Sequence, residues 1–203
     1  MIILFTAITF IISISIHEYA HAWMSNKLWD PTPRIQWRLT INPISHIDPL
    51  WFILIFLVWF GRWKPVEINP NYYSNPLRGE LYVALAWPLS NIVLVCISCI
   101  ILIIYSKIGW NSQDIIVFRT VFGILNTAMA VFNMLPFPQL DGFRLIKIIA
   151  PHFAGRLQYR ARSNMFISFW LLYGLSFIIW PYISVFSRAL YDAIYWLFQI
   201  IAL

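Results

Sequence analysis

The chain has 203 residues, 61% of them hydrophobic and 11% charged, with a mean hydropathy of +0.72 and a formal net charge of +6. A water-soluble domain carries about a quarter charged residues, so the composition excludes a soluble enzyme and predicts an all-α integral membrane protein. The basic excess does not point to nucleic acid, because Lys and Arg fall in short stretches between apolar runs, where they set membrane topology instead.

The first apolar run, Ile2 to Met24, is 23 residues long, or roughly 34 Å of helix, enough to cross a bilayer. It lacks a basic leader and a small-residue cleavage site, and so reads as a retained helix rather than a signal peptide. Its last third holds His17, Glu18 and His21. Each ionisable side chain at the bilayer centre costs roughly 2.5–3.5 kcal/mol on insertion scales, so three within five positions demand a chemical reason. On a helix, residues four apart share a face, and His17 and His21 can ligate one metal ion. Glu18 then lies beside that ion, where a carboxylate can take a proton from water. The spacing is the HExxH pattern of zinc hydrolases, and two core histidines satisfied by neighbours are the bland alternative.

Between Ser25 and Pro49, Pro31 and Pro33 stop the helix. The alternating run Arg34–Ile41 predicts a short strand or β-hairpin near the active site, able to align an extended substrate by edge pairing. Leu50–Phe60 is apolar but only 11 residues long, which predicts a re-entrant or interfacial piece. Four more apolar runs follow, at 80–105, 115–135, 165–182 and 189–203, giving five spanning helices in one membrane-embedded domain over residues 1–203. Cys96 and Cys99 form a C-x-x-C inside an apolar run, where they read as small core fillers. His46 and Asp48, next to Asn-Pro and Asp-Pro pairs, read as turn residues, and His152 as a solvated group in the basic stretch 144–162.

With the first helix leaving toward the cytoplasm and Leu50–Phe60 not crossing, eleven of the fourteen Lys and Arg residues are cytoplasmic. Only Lys107, Arg119 and Arg188 fall on the other side. The bias predicts an outside N-terminus, with the motif toward the cytoplasmic face. Catalytic zinc ordinarily has three protein ligands, and Asp141 is the natural third. It follows an apolar run broken by Pro136 and Pro138, at the same predicted depth as His17 and His21. Irregular backbone at that depth is tolerated where it lines a wet cavity, which a hydrolase needs. A helix-ending Asp-Gly turn is the competing reading.

At these residues the chain resembles the site-2 protease family of intramembrane zinc metalloproteases, peptidase family M50, and its small prokaryotic branch without a fused regulatory domain. His17-Glu18-Tyr-Ala-His21 corresponds to the family's HExxH, and Asn133-Met-Leu-Pro136 through Leu140-Asp141-Gly142 to its N-x-x-P and L-D-G signatures. Arg38 to Pro49 and Lys64 to Pro70 look like signatures of that branch. The resemblance implies one zinc ion held by His17, His21 and Asp141. It also implies Glu18 as general base and Asn133 as a hydrogen-bonding group for substrate or transition state. It further implies a transmembrane protein or peptide as partner and the cell membrane of a bacterium or archaeon as location. One departure stands out: where the family commonly has A-G-P-x-x-N, this chain has Ala86-Trp87-Pro88-Leu-Ser-Asn91. Two rival readings share the same residues: a membrane metal-ion transporter or sensor, and a catalytically inactive homologue that binds membrane segments.

Overall fold

The structure is a computed structural model that describes residues 2–46, 66–108 and 112–201. Among these residues every regular element is helical: α1 (Ile2–Lys27), α2 (Thr32–Ile35), α3 (Pro43–His46), α4 (Pro76–Lys107), α5 (Gln113–Asn133), α6 (Phe143–Ile149), α7 (Pro151–Ser163) and α8 (Met165–Ile201), with a 3-10 turn at Pro70–Tyr72. Four of them, α1, α4, α5 and α8, are long and apolar enough to cross a membrane.

Two expectations are corrected. No strand forms over Arg34–Ile41. Pro31 and Pro33 cannot donate to a ladder, but they suit a helix start, and α2 is one turn closed by Ile35 N–H to the Pro31 carbonyl and Gln36 N–H to that of Thr32. The described residues also give four candidate spans instead of five, because α8 runs unbroken for 37 residues through Pro181 and Arg188. A proline removes one donor, whereas an open loop in lipid would strand many, so an apolar segment continues as helix. Beyond Pro181, the Ser184 hydroxyl donates to the Pro181 carbonyl at 2.7 Å. The apolar piece Leu50–Phe60 lies outside the described residues.

The chain divides into two compact units, one of Phe10–Ser90 and one of the residues up to Thr9 together with those from Asn91 onward. In the Phe10–Ser90 unit, α1 ends in a Schellman motif, with Trp29 N–H donating to the Asn26 carbonyl and Asp30 N–H to that of Ser25. Trp29 takes the left-handed position at φ 74°. α2 ends the same way at Trp37, φ 57°, with Trp37 N–H on Arg34 and Arg38 N–H on Pro33. Glycine is the usual residue at such a site; a side chain there costs about 1–2 kcal/mol.

The first of these turns delivers Asp30 to a buried hub. Its carboxylate accepts the Ser25 hydroxyl at 2.7 Å, Thr32 N–H at 2.9 Å and Asn69 N–H at 2.7 Å. Because the Ser25 proton goes to Asp30, the Tyr73 hydroxyl donates to Ser25, at 2.7 Å. Tyr73 in turn packs against Gly79 of α4, where any Cβ would stand 2.2 Å from the ring. The hub thus ties the end of α1 to segments forty residues later. In the other unit, α5 packs on α8, α6 on α7 and α7 on α8. Tyr191 lies against Gly123, 2.1 Å from where a Cβ would stand, and forms a small core with Val95 and Cys99.

Burial alone would raise the Asp30 carboxyl, but hydrogen bonds from Thr32, Asn69 and Ser25 outweigh it and hold the group below its ordinary value of 3.8. A carboxyl whose folded pKa is depressed stabilises the fold above its unfolded pKa and loses that contribution as pH falls through the folded one. The melting temperature in detergent should therefore decline below about pH 4. Asp30→Asn, which points an amide donor at other donors, should lose about 1–3 kcal/mol at neutral pH and flatten the acid slope.

Candidate metal centre

His17, Glu18 and His21 occupy one buried turn of α1 within the Phe10–Ser90 unit. The helical spacing brings the two imidazoles together, with ring centroids 5.0 Å apart and planes at 82°. α4 supports both. His21 Nδ1 lies 3.1 Å from the Val83 carbonyl oxygen, and the Trp87 indole rests on His17 with centroids 4.9 Å apart and planes 34° apart. The pairs 21 with 83 and 17 with 87 are each one turn apart on both helices, so the two helices run antiparallel here.

A carbonyl oxygen only accepts, so His21 Nδ1 carries the proton and Nε2 keeps the lone pair. That is the tautomer a metal-ligating histidine needs, with the second ring nitrogen fixed by an acceptor on the chain. Glu18 is held from another direction: Val66 N–H donates to its Oε2 at 3.0 Å. Two imidazoles on one face, one with its tautomer set, beside an oriented carboxylate, form a donor set that suits a borderline divalent cation such as zinc.

In the unit that begins at Asn91, Asn133 ends α5 and Asp141 precedes α6. Pro136 and Pro138 prevent the helix from continuing, and residues 134–141 instead fold into a loop closed at its neck by Gly142 N–H on the Asn133 carbonyl at 2.8 Å. The neck ties Gly142, the residue after Asp141, to the Asn133 backbone. Arg144 Nε donates to Asp141 Oδ1 at 3.3 Å. Gly142 has to be glycine, since a Cβ there would stand 2.2 Å from the Met134 carbonyl oxygen.

His46 is a turn residue: its Nε2–H donates to the Thr40 carbonyl at 2.7 Å. Burial pushes its imidazole below the ordinary value; the Thr40 bond opposes that, and the Arg38 charge adds to it. Asp48 lies outside the described residues, and His152 is exposed at the start of α7. Sequence reasoning did not find the Val83 carbonyl and the Val66 N–H. Both are backbone groups, which residue type does not reveal.

Comparison with known proteins agrees with this chemistry. Residues 101–177 match the model of Peptidase family M50. The chain is 34% identical over 188 residues to "Putative zinc metalloprotease YwhC" of Bacillus subtilis, covering 89% of this chain and 86% of that one. It is 23% identical over 197 residues to "Putative zinc metalloprotease Rip2" of Mycolicibacterium smegmatis, covering 93% of this chain and 71% of that one. No solved structure matches.

Gly142→Ala tests the loop neck. The added methyl meets backbone, which cannot turn aside, so the substitution should destabilise the protein by about 1–3 kcal/mol and open residues 134–141 to limited proteolysis. An unchanged melting temperature and cleavage pattern would show that the neck yields without strain.

Proposed function

The chain belongs to peptidase family M50, and from that premise we propose that it is an intramembrane zinc metalloprotease of the site-2 type, cleaving transmembrane protein or peptide substrates. The observation that carries the reading is the buried turn of α1, where His21 presents Nε2, His17 lies beside it and Glu18 is oriented by Val66. Two histidines leave a catalytic zinc one protein ligand short. Asp141, on its closed loop, supplies the third in this reading.

Zinc, when bound, supplies a Lewis acid that acidifies water and takes up negative charge. The remaining work falls to the chain. Glu18 accepts the proton of the attacking water and returns it to the leaving nitrogen. Asn133 donates a hydrogen bond to the substrate carbonyl as charge develops on its oxygen. The buried surroundings of His17, Glu18 and His21 keep bulk water from weakening these interactions.

In its setting we read the protein as a single multi-pass domain in the cell membrane of a bacterium or archaeon. The Lys and Arg distribution supports an outside N-terminus and a site toward the cytoplasm. A helical substrate has its carbonyls engaged, so the scissile segment has to be extended before attack.

Two measurements test the proposal. Glu18→Gln should reduce peptide cleavage by roughly 10²–10⁴-fold with zinc content unchanged; a metal transporter using the same ligands would keep much of its transport. Replacing a proline or glycine in the cleaved substrate segment by leucine should slow cleavage, and an unchanged rate would remove the requirement for unwinding.

A further inference from the structure

We propose that Trp87 is a positioning residue for His17, fixing the plane of a metal-ligating imidazole by stacking. This inference rests on the proposed metal site and goes beyond it, because no ligand or proton-transfer role falls to an indole.

Several observations carry it. Trp87 is completely buried and is among the largest fully buried side chains. Its ring lies on His17 at 4.9 Å and 34°, within offset-stacking range. It sits one turn of α4 beyond Val83, whose carbonyl holds His21, so two successive inward positions of one helix serve the two histidines in order. His21 is fixed by a hydrogen bond and His17 by a ring face.

The indole N–H sharpens the argument. Among the described residues Trp87 Nε1 is buried without a hydrogen-bond partner. An unpaired buried donor is unfavourable, and phenylalanine would avoid it. The contact that Trp87 makes on His17 runs through its ring, and the two variants below separate that face from the donor. Electrostatics run the same way: an imidazole that shares its lone pair with a cation becomes more positive, and the negative face of the indole holds such a ring more strongly. Leucine would fill much of the space but offers no ring face for the His17 imidazole to lie against. Glycine would leave the imidazole face uncovered.

The test compares Trp87→Phe and Trp87→Leu with the parent, using purified protein in detergent. Zinc affinity is measured by competition with a chelator, alongside the melting temperature of the metal-free protein and the kcat and KM of cleavage. Trp87→Leu should weaken zinc binding by about 10–100-fold, the range for residues that orient a metal ligand, and lower kcat more than it raises KM. Trp87→Phe should restore affinity to within about threefold of the parent, as expected if the ring face rather than the N–H is needed. Equal zinc affinity in parent and Trp87→Leu would overturn the proposal, as would an equal loss in the Phe and Leu variants. His17→Ala separates this failure from a deeper one. If it leaves zinc affinity unchanged, the metal site itself is misassigned; if it abolishes binding while Trp87→Leu does not weaken it, only the positioning role falls.

Discussion

The hydrogen bond from His21 Nδ1 to the Val83 carbonyl sets the chemistry available to the first helix. In water an imidazole exchanges tautomers freely, and neither nitrogen is reserved. In a buried turn an acceptor on Nδ1 favours the neutral tautomer whose Nε2 keeps its lone pair. The acceptor is a backbone atom of α4, so the tautomer depends on the register between α1 and α4 within residues 10–90. A one-residue slip would carry Val83 away from His21 and Trp87 away from His17 together. Ala20, Ala22, Ala84 and Ala86 flank these contacts in sequence and are all buried, and small residues permit the close helix approach that membrane packing relies on.

Several polar groups elsewhere in the apolar helices are satisfied locally. Hydroxyls fold back onto their own turn: Ser15 donates to Ile11, Ser98 to Val95, Thr120 to Ile116 and Thr127 to Gly123. Such bonds cost the fold nothing in long-range order and say nothing about function. His21 and Glu18 instead draw partners from 62 and 48 residues away, as the Ser25–Asp30 hub does from 48 and 39 residues away. A chain that brings distant backbone to buried ionisable groups has organised itself around them.

These differences explain what could be read from residues alone. The HExxH turn was legible because a spacing of four on a helix is geometry. The Asn133–Asp141 loop was legible because two prolines forbid helix and an Asp-Gly pair ends it. The span count failed at α8, where Pro181, Ser184 and Arg188 look like a boundary; in lipid the helix absorbs them because every alternative strands more backbone groups. The predicted hairpin failed because its alternating pattern follows two prolines better suited to starting a helix turn. Nor does a tryptophan in a left-handed turn announce itself, since Trp29 and Trp37 stand where a reader looks for glycine.

Each proposed ligand is also held by a second group on the chain: His21 by the Val83 carbonyl, His17 by the Trp87 ring, and Asp141 by the Arg144 guanidinium at 3.3 Å. The third of these need not compete with a metal, because a carboxylate offers about four lone-pair directions over two oxygens. A guanidinium on Oδ1 narrows the angles the group can adopt. The three supports differ in kind for a physical reason. A neutral donor ring needs an acceptor to choose its tautomer, an imidazole face needs a surface, and an anion needs a cation. In the proposed reading, Val83, Trp87 and Arg144 contribute to metal affinity alongside the ligands, since loose ligands would lose in side-chain entropy what they gain in coordination.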